Sequence, residues 1–313
     1  MSGLNIHLFG KFRIECDRQV IGFSNVCKAQ ELFSYLLVYR NRSHSRETLA
    51  GLLWGNSTTE KSRKYLRQAI WHLQTAFDTQ KVWEEAGITL HTEHDWVQIG
   101  TSNTVWLDVA ILEEAFSLVE GVPSSDLTPE QAASLQSAVE FYSGDLLEGW
   151  YQDWCLYERE LLQNKYLTIL DKLLGYCLAH QEFDAGQRYG ALILRYDRAR
   201  EHTHRRLMHL YQMAGDRTAA LRQYERCTQA LREELGVKPD NRTVALYEDI
   251  RGNQTTNPVE AVMTIDATTS LPEVLCRLKR LQVMLARVQQ HVKRDIKAVE
   301  LGLNHPSKQN RAQ

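Results

Sequence analysis

An internal repeat limits the folds open to this chain more than any other feature. Between residues 166 and 250, Tyr176 matches Tyr211, Ala185 matches Ala220 and Tyr189 matches Tyr224, each at an offset of 35. A small residue between aromatic partners, with Pro239 after the second unit, fits paired antiparallel helices repeating at about 34 residues. One such pair cannot bury its apolar face alone, so neighbouring pairs stack and leave a concave surface suited to proteins or peptides. Two clear units are few. The helical stretches LDVAILEEAFSLVEG and TPEQAASLQSAVEFYSG before them are expected to complete the stack, with a break from Pro123 to Asp126. The second of these opens with Thr128 as N-cap and Pro129 at the first helical position.

Ahead of this helical part the order of elements changes. Residues 4–23 alternate apolar and polar in short runs, the pattern of a small antiparallel sheet. Two amphipathic helices follow, Lys28 to Arg40 and a second with Ser45 as N-cap that ends at Trp54 and Gly55. The stretch STTEKSRKYLRQAIWHLQTAF, Ser57 to Phe77, then pairs Ser57 with Glu60 as a capping box. Leu66, Ala69, Ile70, Leu73 and Phe77 form its apolar stripe. Opposite lie Lys61, Lys64, Gln68, Trp71 and Thr75, flanked by Arg63, Arg67 and His72. ITLHTEHDWVQIG and TVWLDV close the region as two or three strands. Sheet, three helices and hairpin is the layout of a winged helix-turn-helix domain, whose third helix enters the major groove while the hairpin lies along the backbone.

Charge supports a division of labour. Residues 1–77 hold eleven Lys and Arg against five Asp and Glu, and the remainder holds 26 against 34. A basic N-terminal module on an acidic body points to a polyanion as the first part's partner. The six cysteines form no C-x-x-C pair and read as small buried hydrophobes. No cofactor or metal is expected: His91 and His94, and His202 and His204, lack carboxylate or thiolate companions at ligand spacing. P-loop, dinucleotide-glycine and nucleophile-elbow motifs are absent from the sequence, so the expectation is no enzyme. Without an apolar run of about 18 residues or the blocks of a signal peptide, the chain is expected in the cytoplasm, with no membrane partner.

The segments LFGKFRI, KAQELFSYLLVYRNRSHSRETLAGLLWG, RKYLRQAIWHLQTAF, WLDVAILEEAF, YSGDLLEGWYQDWCLYERE, HRRLMHLYQMAGDRTAALRQYERC and LREELGVKPDNRTVALYEDIR resemble the SARP-type bacterial transcriptional regulators. These join an OmpR-like winged-helix domain to a bacterial transcriptional activator domain. The resemblance covers roughly residues 4–251 and is denser in the helical part. It implies binding to double-stranded promoter DNA, often as dimers on direct repeats, and contact with RNA polymerase, the helical domain serving oligomerisation and that contact. Where the family's third helix commonly ends in a segment like SRLRRAL, this chain reads Trp71 to Phe77, with His72 and Gln74 in place of two arginines. A different set of contacts is implied there.

On this basis the fold is expected to be mainly α, with four segments: a winged helix-turn-helix over 1–106, a helical activator domain with tetratricopeptide-like repeats over 107–252, a linker over 253–270 and a heptad helix over 271–303. Arg63, Lys64 and Arg67 suit phosphates, as does Arg46 at the start of the second helix. Gln68 suits adenine and Thr75 a thymine methyl. Lys61 and His72 lie on the same helix, and Thr92 and His94 at the wing tip complete the set, while Trp71 packs on DNA, on the wing or on a domain interface. Trp150, Trp154 and Tyr157 are expected in the core. Leu271, Leu278, Leu285 and Val292 recur by sevens, with Leu281 and Val288 in the second heptad position, which leaves open a homodimeric coiled coil or a helix packed on the repeats. The function expected is sequence-specific transcriptional regulation, chiefly activation. The alternative is a protein-interaction scaffold using the repeats, with DNA binding weak or lost.

Overall fold

The N-terminal strands settle first where the chain must go. In the computed structural model, which describes residues 4–252 except 17–18, 21–26, 41, 80–82, 84–86 and 103, β1 (Leu4–His7) pairs antiparallel with β2 (Arg13–Cys16), and β2 with β3 (Gln19–Val20). Leu4 and Ile6 alternate inward and are fully buried, as a one-sided sheet requires. The helices α1 (Cys27–Val38), α2 (Arg46–Leu53) and α3 (Thr59–Thr79) follow, with the short β4 (His44–Ser45) ahead of α2. A hairpin of β5 (Ile88–Thr92) and β6 (Trp96–Thr101) joins β4 in a second sheet of order β4-β6-β5.

The TVWLDV strand, β7 (Val105–Leu107), does not extend the hairpin. It returns to run parallel to β1, giving the first sheet the order β3-β2-β1-β7. The chain then enters α4 (Asp108–Val119) directly, and continues through a short 3-10 turn (Ser124–Asp126) to α5 (Pro129–Phe141). Thr128 and Gln131 form the reciprocal capping box that starts α5. Beyond these come α6 (Asp153–His180), α7 (Phe183–Tyr196), α8 (Glu201–Met213), α9 (Arg217–Glu234) and α10 (Asn241–Gly252). The fold is thus mainly α with a small N-terminal α+β region. The linker over 253–270 and the heptad positions Leu271, Leu278, Leu281, Leu285, Val288 and Val292 lie outside the described residues.

The repeat expectation corresponds to the stacked helical pairs α6/α7 and α8/α9. Their packing depends on two glycines of α7. A Cβ on Gly190 would stand 2.5 Å from Leu207 of α8, and one on Gly186 would stand 2.3 Å from Leu210, so α7 and α8 approach as closely as they do only because those positions lack side chains. Among the aromatics of α6 and its approach, Trp154 is buried and Trp150 is half-buried. Tyr157, expected in the core, is 67% exposed. It is the third residue after Trp154 in a helix that buries one side only, and apolar composition does not tell which side.

The buried core runs without interruption from the sheet and α1 into α4 and α6, and residues 1–252 form one compact unit. Polar contacts tighten the seam. Gly10 N–H donates to the Asp145 carbonyl, and the amides of Leu147 and Glu148 return to the carbonyls of Leu8 and Gly10. Tyr39 Oη donates to Glu158 Oε1 at 2.6 Å. Glu113 lies between Arg40 at 3.0 Å and Lys165 at 3.1 Å.

Asp108, at the first position of α4, is the most deeply placed acid of this seam. Its carboxylate accepts the backbone N–H groups of Leu8, Phe9 and Val109, at 2.7–3.0 Å. Burial outweighs these donors and pushes its pKa up to about 6. A raised folded-state pKa means that the folded chain binds the proton more tightly. The part of the stability linked to this proton is therefore full below the ordinary value of 3.8 and is lost as the pH rises through about 6, while the ionised carboxylate keeps its backbone hydrogen bonds.

Asp108→Asn is expected to set an NH2 donor where one carboxylate oxygen accepts, leaving a buried N–H without its acceptor at a cost of about 1–3 kcal/mol in urea denaturation at neutral pH. It is also expected to flatten the dependence of stability on pH between the two pKa values. Gly190→Ala is expected to lower stability by about 1–3 kcal/mol through overpacking against Leu207, read by the same denaturation.

Candidate nucleic-acid interface

The α3 helix is anchored along one side. Leu66, Ala69, Ile70 and Leu73 are all buried, at the intervals that about 3.6 residues per turn bring onto one face. Its start differs from the expected capping box by one residue. Ser57 N–H donates to the Trp54 carbonyl and closes the turn after α2, so the first helical carbonyl is that of Thr58, which accepts Ser62 N–H. Ser62, buried among charged neighbours, donates its hydroxyl to the Trp54 and Thr58 carbonyls at 3.0 and 3.1 Å. It fixes α3 against the end of α2. A serine in a run of polar residues gives no sign of that role in the sequence.

The opposite face is open. Lys61, Arg63, Lys64, Arg67, Gln68, Trp71 and Thr75 are exposed, and Trp71 is 58% exposed. The half-buried His72 sets its ring 4.9 Å from that of Trp71. Arg63 makes an exposed ion pair with Glu47 of α2 at 3.2 Å. Such a pair contributes little against water and leaves the guanidinium available to a stronger anion. Thr75 donates its hydroxyl to the Trp71 carbonyl at 2.8 Å.

The wing is held beside α3 by two ties. Gln74 Nε2 donates to the Thr92 hydroxyl at 3.1 Å, joining the third helix to β5. Arg46, the first residue of α2, donates its backbone N–H to the Asp95 carbonyl and its Nε to the Glu93 carbonyl at 3.2 Å. Ser45 caps α2, its hydroxyl accepting Thr48 N–H at 3.0 Å. Of the expected wing contacts, Thr92 is thus half-buried and engaged with α3, whereas His94 is exposed in the turn between the strands. Arg46 braces the hairpin with Nε. Gln74, in the sequence a lost arginine, is a structural tie.

Chemically this arrangement offers cations, an amide, an indole and a methyl group along about four turns of an exposed helix, beside a fixed hairpin. Among the described residues no group of three or more His, Cys, Asp or Glu side chains could hold a metal ion, and no helix is long and apolar enough to cross a membrane.

Comparison with known proteins follows the same division. The chain is similar in fold to Mycobacterium tuberculosis EmbR, solved in complex with a low-affinity phosphopeptide, at a TM-score of 0.60 and 17% identity, over 82% of this chain and 67% of that one. No curated protein matches. Residues 107–251 match the bacterial transcriptional activator domain. That match takes in the helical part of the chain, behind the α3 surface and its hairpin.

Proposed function

We propose that this chain is a SARP-type bacterial transcriptional regulator, a cytoplasmic, sequence-specific DNA-binding protein that lays α3 in the major groove of promoter DNA with its wing along the backbone. The observation that carries this reading is the open face of α3. Lys61, Lys64, Arg67, Gln68 and Trp71 are exposed together, and none is joined by an ion pair within the described residues. Lys61 lies in the first turn, at the positive end of the helix dipole, where a cation destabilises the free protein. A phosphate placed there reverses that sign.

In this reading Lys61, Lys64 and Arg67 neutralise phosphates, with Arg63 leaving Glu47 to join them, and Arg46 offers its terminal nitrogens beside the wing. Gln68 faces base edges as an adenine reader, and Trp71 and the Thr75 methyl face thymine methyl groups. His72 supports Trp71 from the flank, and His94 meets backbone at the wing tip. The helical domain acts through protein contacts, RNA polymerase being the partner that the family suggests. The C-terminal heptads are proposed to hold a homodimer.

Lys64→Ala and Arg67→Ala are each expected to weaken binding to upstream and scrambled duplex alike. Each should reduce the slope of log K against log salt by about 0.9, as measured by fluorescence anisotropy of the full chain. Unchanged affinity and slope in both variants would remove the groove-reading model. If the folded chain bound neither duplex, the scaffold reading would take its place.

A further inference from the structure

The helical domain is not uniformly acidic. Residues 107–171 hold two Lys and Arg against thirteen Asp and Glu, whereas residues 172–252 hold fourteen against eleven. The cationic part of the domain is therefore its repeat segment. There, α7, α8 and α9 enclose a groove of about 460 Å³, within the range of ligand sites. It shares no residue with the α3 surface.

The walls of the groove are apolar at Ala191, Leu207 and Tyr211, and its edge carries Arg195, Arg198 and Arg226. All three arginines are exposed. Arg198 is held by Glu233 at 3.2 Å and Glu234 at 3.6 Å. Arg195 and Arg226 make no ion pair among the described residues.

The lining also includes a buried polar pair. His204 and Gln223 are 3% and 2% exposed and both line the groove. Gln223 Nε2 donates to His204 Nδ1 at 2.7 Å, which leaves His204 Nε2 to donate to the Arg198 carbonyl at 2.9 Å. Burial lowers the His204 pKa, in keeping with this neutral tautomer. The histidine thereby fixes the orientation of the glutamine amide. The Gln223 side chain makes no other hydrogen bond among the described residues, so its carbonyl oxygen and second N–H remain for a ligand. The amide reaches the groove lining, where a ligand can replace the water that otherwise meets it.

We propose that this groove binds an extended acidic segment of a partner protein. Arginines donate to carboxylates in bidentate fashion, the Gln223 amide matches a peptide group in both its donor and its acceptor, and the apolar walls take the side chains between the carboxylates. A small inorganic anion would use the arginines and leave the amide and the walls unmatched. An apolar peptide would leave two unpaired guanidinium groups at the edge.

The test is panning of a displayed random-peptide library against the full chain, followed by anisotropy of the enriched peptides labelled with fluorescein. The expected peptides contain Asp or Glu and lose binding when these are changed to Asn or Gln. Roughly tenfold weaker binding is expected for Arg195→Gln/Arg226→Gln and for Ala191→Trp, which fills the groove. Both variants change exposed side chains, and an unchanged thermal melt verifies their folding. Affinity of the chain for duplex DNA should not change in either variant, which separates this site from the α3 surface. Enrichment of peptides without acidic residues, equal binding by the variants, displacement of the peptide by inorganic phosphate or ATP at comparable concentration, or no enrichment at all would overturn the proposal.

Discussion

The hold of Asp108 on the amides of Leu8 and Phe9 is the contact on which the rest of this structure is built. It closes the end of β1, starts α4 and sits where the first sheet meets the helical domain, so one carboxylate satisfies backbone donors on both sides of the seam. β7 delivers Asp108 there by running back beside β1 instead of extending the wing. Around it the turn at Gly10 docks on residues 145–148 by backbone hydrogen bonds. Trp154 packs edge-on against Tyr35, their centroids 5.2 Å apart. Placing α3 thus draws on the core that the N-terminal region shares with α4 and α6, not on three helices alone.

Much of this was legible wherever chemistry is local. Ser45 and Thr128 cap their helices because a hydroxyl needs only the next turn as its partner. The stripe Leu66, Ala69, Ile70 and Leu73 is buried because helical spacing and composition agree. The repeat offset gave the α6 to α9 pairs, since identical positions in stacked units meet similar surroundings. The face of α3 was visible as the complement of that stripe, and its exposure follows without further information.

What was not legible depends on partners distant in sequence. Ser57 looked like a cap, but its amide is claimed by Trp54, and the helix begins later. Gln74 looked like a missing arginine until β5 supplied Thr92 as its partner. Tyr157 and Trp154 share a helix and an aromatic character, yet only one faces α1. The destination of β7 cannot be read from three residues, because parallel pairing across about a hundred intervening positions leaves no local mark. The groove edge at Arg195, Arg198 and Arg226 shows in the sequence only as a change in charge balance within the helical part.

The continuous core across the seam has a consequence for exchange of parts between relatives. A winged helix cut away at residue 107 would bare Tyr35, Leu8 and the amides of Leu8 and Phe9, apolar and polar groups that no surface residue of its own covers. The α3 helix is therefore not a cassette that can be moved by itself. A chimera that transfers the α3 surface must either carry α4, the 143–148 loop and α6 with the donor's N-terminal region, or keep the host's seam and graft only the outward side chains of α3.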